Sequence, residues 1–246
     1  MSSFGAKFRI EALKERFRAN PLLFRAFAGR LGERPFMRRL VQPGDDIVID
    51  GFPRSANTFA THAFIRANPL AVVGNHCHCV AQFKLAAEYD IPAVLVLRHP
   101  VDASVSTAIY SLDIDPLRAL TRWLTFHRLV EKYQEHFLVA PFDVITTRFS
   151  RIVDTVNGRW NTSFAAGDDD SAAVFAAIQS HQDAIDISRG FSRPERLPAP
   201  KQSRNEARKR LALQLTEPDG LALSREAQHL YGQLRSLAQG TAPDKV

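Results

Sequence analysis

Cysteine is scarce in this chain: only Cys77 and Cys79 occur in 246 residues. Separated by one residue, they are poorly placed to bridge each other. No disulfide framework follows from them, and a reducing, cytoplasmic setting is expected. Long apolar runs are missing as well. None approaches the roughly 20 residues needed to cross a bilayer, and no apolar signal-peptide segment is visible. The sequence contains no internal repeat and no low-complexity tract.

An apolar content of 45% is ordinary for a globular protein. The length suits one domain with a helical extension. The net charge of +6 is unevenly placed. Residues 1–40 hold ten Lys or Arg against three Asp or Glu, while the remainder is nearly balanced at 22 against 23. The basic excess therefore belongs to the N-terminal segment, which argues against a general nucleic-acid-binding surface. Its ordinary reading is a solvated charged face on helices that pack against the core. Its functional readings are peripheral contact with an anionic membrane surface or with an acidic partner.

The pattern predicts amphipathic helices over 4–18 and 21–40, broken at Asn20-Pro21. A turn at Pro43-Gly44 separates this extension, 1–43, from a domain over 44–246. Strands are expected at 46–50, 71–73 and 92–97, with a fourth over Phe142 to Ile145. Helices are expected from Asn57 to about Ala67, over 80–89, from Pro116 onward, after Asp168-Asp169-Asp170, and over most of 205–238 with a break at Pro218. This alternation indicates an α/β fold with a mainly parallel sheet and crossover helices.

The segment Asp46-Ile47-Val48-Ile49-Asp50-Gly51-Phe52-Pro53-Arg54-Ser55-Ala56-Asn57-Thr58-Phe59 runs from an apolar strand through a tight turn into a helix. That is the layout of a phosphate-binding loop, but one component is missing. The ATP-binding version places a Lys just before its metal-binding hydroxyl. Here Asn57 stands there, before Thr58, and the remaining cation is Arg54. Such a loop suits an anion without the usual Lys and Mg²⁺ machinery. A helix N-terminus with its backbone N–H groups provides the cradle.

Residues 51–59 resemble the 5′-phosphosulfate loop of the P-loop sulfotransferases, roughly G-x-P-[KR]-S-G-[ST]-T-[WF]. Ala56 stands where Gly is usual and resists a positive φ, and Asn57 stands where Ser or Thr is usual. A second segment, Pro92 to Ser106, resembles the 3′-phosphate motif of the same family. In it Arg98-His99-Pro100-Val101-Asp102 follows an apolar strand, and Ser106 lies eight residues after Arg98. Pro141 to Thr147 is similar to a strand and helix start that follow in bacterial members. The resemblance covers about residues 45–165. It implies a P-loop three-layer sandwich and the co-substrate 3′-phosphoadenosine 5′-phosphosulfate. The 5′ side would be bound by Arg54, Ser55, Ala56, Asn57, Thr58 and Phe59, and the 3′-phosphate by Arg98 and Ser106.

Between these motifs lies Gly74-Asn75-His76-Cys77-His78-Cys79. In an extended segment the two histidines share one face and the cysteines the other. A neutral imidazole suits general-base work near pH 7. The family resembled often has a Lys-x-His element here; His78 would match its His and His76 would replace its Lys. A zinc site is disfavoured, because His and Cys alternate to opposite faces and no further Cys exists. The late basic segment with Lys201 and Arg204 is expected either as a second grip on the nucleotide or as a solvated loop.

The resulting expectation is a sulfotransferase that moves a sulfuryl group to a hydroxyl or amine of a small-molecule or carbohydrate acceptor, with Arg54, His76 and His78 catalytic and no metal required. The rivals are a P-loop nucleotide kinase or NTPase, and a non-catalytic nucleotide-binding or membrane-docking module. The acceptor and the oligomeric state are not specified by the sequence.

Overall fold

The computed structural model describes residues 3–28, 39–111, 114–189 and 205–238. Four parallel strands form the sheet: β1 (Ile47–Gly51), β2 (Val73–Asn75), β3 (Ala93–Leu97) and β4 (Leu138–Pro141). Their order across the sheet is β2-β1-β3-β4. Ile49 lies opposite Asn75 on one side and Val94 on the other, and Leu97 lies opposite Pro141.

The strands are buried on both faces, so they read as continuous apolar runs rather than as alternation. Successive side chains still point to opposite faces. Val48, Ala93, Leu95, Leu97 and Val139 enter one core cluster. Ile47, Ile49, Val94, Val96, Leu138 and Ala140 enter the other. The first is covered by α4 (Val80–Glu88), α5 (Pro100–Tyr110), α6 (Pro116–Val130) and α11 (Pro218–Ser236). The second is covered by α3 (Asn57–Ala67), α7 (Phe142–Thr147), α8 (Phe149–Trp160) and α9 (Ser171–Arg189). The result is α/β, with helices on both sides of a parallel sheet. Outside these layers are α1 (Ser3–Arg18), α2 (Pro21–Ala28) and α10 (Asn205–Leu213).

Two strands differ from expectation. β2 begins two residues later and runs through Gly74, where an added Cβ would meet Gln82 Nε2 at 2.8 Å. Phe142 to Ile145 is not a strand but the body of α7; the fourth strand precedes it. Pro141 ends that strand with a φ of −65° and serves as the helix N-cap. Of the helix expected over 21–40, Pro21–Ala28 is described as α2, and residues 29–38 lie outside the described residues. In the C-terminal region, Pro218 opens α11 rather than interrupting it.

Candidate functional site

Gly51 closes β1 beside β3 because it has no side chain: an added Cβ would lie 2.3 Å from Val96 O. The chain then turns through 52–56 into α3. Arg54 and Ala56 both take left-handed conformations, with φ of 65° and 77°. Ala56 thus accepts the positive φ that its Cβ opposes, a costly local geometry held by its surroundings. Asn57 is buried and donates from Nδ2 to Phe52 O at 2.9 Å, closing the loop from within. Phe59 packs in the core against the Phe175 edge. The N-terminus of α3 has no side-chain cap. Its first-turn N–H groups have no partner within the helix, and they open onto this loop. Ser55 Oγ is fully buried without a hydrogen-bond partner.

Arg98 follows directly on β3 and donates from Nη1 to Arg54 O at 2.7 Å. Its guanidinium stacks over Phe142, 4.4 Å from the ring centroid. Arg54 Nε donates to Ser106 Oγ at 3.3 Å, and its guanidinium lies 4.8 Å from the Tyr110 centroid. The two motifs, 44 residues apart at Arg54 and Arg98, therefore meet at the C-terminal ends of β1 and β3. Burial pushes the Arg98 pKa down to about 10; Asp102 opposes this, while Arg208 and Arg54 reinforce it. Arg98 stays charged at neutral pH, among like charges.

His76 and His78 follow β2 at the same end of the sheet. Neither has the extended backbone expected of it: their φ values are 53° and 48°. The division of faces holds nonetheless. The imidazoles meet edge to face with centroids 5.6 Å apart, while Cys77 and Cys79 are buried with Phe24 and Ala81. His76 Nδ1 lies 3.1 Å from Asn75 Oδ1, and its Nε2 lies 3.2 Å from Thr58 Oγ1. His78 Nδ1 lies 2.8 Å from Gly51 O and 3.2 Å from Asp50 Oδ1. Both of those neighbours are acceptors, so in the neutral ring Nδ1 carries the proton and Nε2 keeps the basic lone pair.

Asp50 organises this segment, and sequence reasoning did not single it out. It is fully buried; Oδ1 accepts from Gly51 N at 2.8 Å, and Oδ2 from Cys77 N and His78 N at 2.8 and 3.0 Å. From the other side, Arg18 of α1 donates to the carbonyls of Cys77 and His78 at 3.0 and 2.9 Å. The only sequence signal for Asp50 is an acid at the end of an otherwise apolar strand.

Lys201 and Arg204 lie outside the described residues. Among the described residues, a late basic residue that bears on Arg98 is Arg208, on α10. Among the described residues no group of three or more His, Cys, Asp or Glu is placed to hold a metal ion. No described helix is long and apolar enough to cross a membrane. A groove of about 270 Å³ lies along another flank of α3, lined by Phe59, Ala63, Arg66, Thr146 and Asp168 among others; it does not include Arg54, Arg98 or the histidines. Compared with known proteins, the chain matches no protein-family model, no curated sequence and no solved structure.

Proposed function

We propose that this protein is a sulfotransferase that uses 3′-phosphoadenosine 5′-phosphosulfate and moves its sulfuryl group to a hydroxyl or amine. The observation that carries the reading is the meeting of Arg54, Arg98, Ser106 and the uncapped α3 N-terminus at the C-terminal ends of β1 and β3. In an open parallel sheet this is where ligands bind. Three arginines from separate elements bear on one place, and an uncapped helix end adds partial positive charge. That is the electrostatics of a polyanion site, and the residues fit the nucleotide chemically. The bond from Arg98 to Arg54 O uses one of the five donors of its guanidinium. The partnerless Ser55 hydroxyl sits in the same loop.

In this reading the 52–59 loop holds the 5′-phosphosulfate, and Arg98 with Ser106 holds the 3′-phosphate. His78 Nε2 takes the acceptor proton as the acceptor oxygen or nitrogen bonds to sulfur. The bond from sulfur to the bridging phosphate oxygen breaks, and its electron pair leaves with the nucleotide. Arg54 and the loop amides meet the charge that develops there. His76, with both ring nitrogens engaged by Asn75 and Thr58, is the weaker candidate for the base.

The test is a metal-free titration of the full chain with 3′-phosphoadenosine 5′-phosphate, against ADP and ATP. The bisphosphate should bind more tightly than ADP. Equal affinity for the two would overturn the reading, and Mg²⁺-dependent ATP turnover would replace it with the kinase or NTPase alternative.

A further inference from the structure

Helix α1 turns its two acidic side chains inward. Glu11 and Glu15 are only 2% and 1% exposed. Glu11 Oε1 accepts from Arg118 Nη2 at 2.6 Å and Glu15 Oε1 from Arg122 Nε at 2.8 Å, both donors on α6. On the outer side, Ile10, Leu13 and Phe17 are 51%, 66% and 43% exposed. Their spacing places them on one stripe within an arc of about 60°. Leu22 and Leu23 at the start of α2 are exposed as well. A soluble helix packed only for stability would turn such a stripe to the core. Here Glu11 and Glu15 point inward, despite the desolvation cost of buried charge. An exposed apolar stripe of this kind marks an interaction site.

The charges around the stripe say what covers it. Arg9 and Arg16 flank it on one side and Lys14 on the other, all exposed, and Arg25 follows on α2. Both acids within 3–18 are the buried ones, so the described outward surface of α1 carries cations only. Two copies pressed together through this face would oppose like charges. An anionic bilayer satisfies both features, taking apolar side chains below the headgroups and cations among them.

We propose that α1 and the first turn of α2 dock this protein on an anionic lipid surface, with Ile10, Leu13, Phe17, Leu22 and Leu23 entering the interface and Arg9, Lys14, Arg16 and Arg25 meeting the headgroups. The inference is independent of the sulfotransferase reading. It is tested by co-sedimenting the full chain with vesicles of mixed phosphatidylglycerol and phosphatidylcholine, and with phosphatidylcholine alone. Binding should require the anionic lipid and weaken with added salt. The double variant Leu13→Glu, Phe17→Glu should bind at least about tenfold more weakly. Lys14→Glu with Arg16→Glu should lose about fivefold or more per residue. Leu70→Glu, at an exposed leucine outside the stripe, should bind like the parent, and thermal unfolding should confirm that all variants are folded. Absence of binding to anionic vesicles, or binding unchanged in both double variants, overturns the proposal. So does concentration-dependent dimerisation that Leu13→Glu, Phe17→Glu abolishes, because the occupant would then be a second copy.

Discussion

Asp50 holds His78 twice: Oδ2 accepts from the His78 backbone N–H at 3.0 Å, and Oδ1 lies 3.2 Å from its ring Nδ1. One buried carboxylate thus fixes both the strained backbone of the 76–78 segment and the direction of the imidazole. Burial by itself would raise the Asp50 pKa. His78, then His76 and the Gly51 N–H, outweigh it and hold the carboxyl below its ordinary value.

Replacing Asp50 by Asn should therefore strike stability and turnover together. An amide cannot accept from all the N–H groups that Asp50 serves, and each buried donor left without a partner costs about 1–3 kcal/mol. The ionised carboxylate stabilises the fold above the unfolded-state pKa of about 3.9, and that contribution is lost as pH falls through the lower native value. Urea unfolding across this window should show a steeper acid loss in the parent than in Asp50→Asn. If the variant still binds nucleotide, its kcat should drop while donor affinity changes little. Unchanged stability and kcat would show that the contact has no role in holding His78.

The histidines are separable by their partners. His78→Ala should lower kcat about 10²–10⁴-fold, the usual scale of general-base catalysis, with donor affinity nearly unchanged. His76→Ala should do less, since its Nε2 is already engaged by Thr58. Steady-state kinetics with bisphosphate affinity measured in parallel decides. A dead His76→Ala beside an active His78→Ala would exchange their roles.

Much of this arrangement was legible in the sequence where local chemistry and tertiary environment agree. β1, α3 and β3 stand out because buried parallel strands are apolar throughout and because Gly51 and Pro53 punctuate the turn. The fourth strand was misplaced because Phe142, Val144 and Ile145 suit either conformation, and the position of Pro141 decides between them. Asp50 was invisible because its role depends on the 76–78 segment folding back across the end of β1, a contact 27 residues away in the chain. Arg208 was missed because it falls in a stretch that reads as helix rather than as a basic loop, and its nearness to Arg98 depends on how α10 packs on α5.

Arg98 and Arg54 should divide the nucleotide between them. Arg98→Ala should erase most of the preference for a 3′,5′-bisphosphate over ADP, a loss of about 1.5–3 kcal/mol for a charge-assisted contact. Arg54→Ala should weaken both ligands and abolish turnover, while Arg54→Lys retains part of each, since it keeps the charge and loses the fork. Calorimetric titration with the two nucleotides distinguishes the cases. An Arg98→Ala variant that keeps the full preference would remove the 3′-phosphate from this site.

Ala56 offers a prediction in the opposite direction. At φ 77° its Cβ is strained, and a left-handed conformation costs a non-glycine residue about 1–2 kcal/mol. Ala56→Gly relieves that strain but adds chain entropy to the unfolded state. The variant should be more stable, by up to about 1 kcal/mol in urea unfolding, with nucleotide affinity unchanged. A destabilised Ala56→Gly would mean that the methyl group packs more favourably than its backbone geometry costs.

His127 supplies a pH test that involves none of the site residues. It is fully buried on α6, its ring 3.9 Å from that of Trp123 by centroid, and its Nδ1–H donates to Trp123 O at 2.8 Å. Burial pushes its pKa down to about 3, and the bond to Trp123 O only partly opposes this. The unfolded chain protonates this histidine near the ordinary value of about 6.5. Above that pH both states are neutral, and the group contributes no pH dependence. Between about 6.5 and 3 the unfolded state takes up a proton that the folded state refuses. Stability must then fall with pH, by up to about 1.4 kcal/mol per unit from this residue. His127→Gln, which can still donate to Trp123 O, should unfold with a shallower dependence between pH 7 and 4.5. That interval lies mostly above the range where Asp50 titrates, so the two effects separate. Parallel slopes for parent and variant across it would show that His127 is protonated in the native protein at moderate pH, and that the core around Trp123 admits a charge.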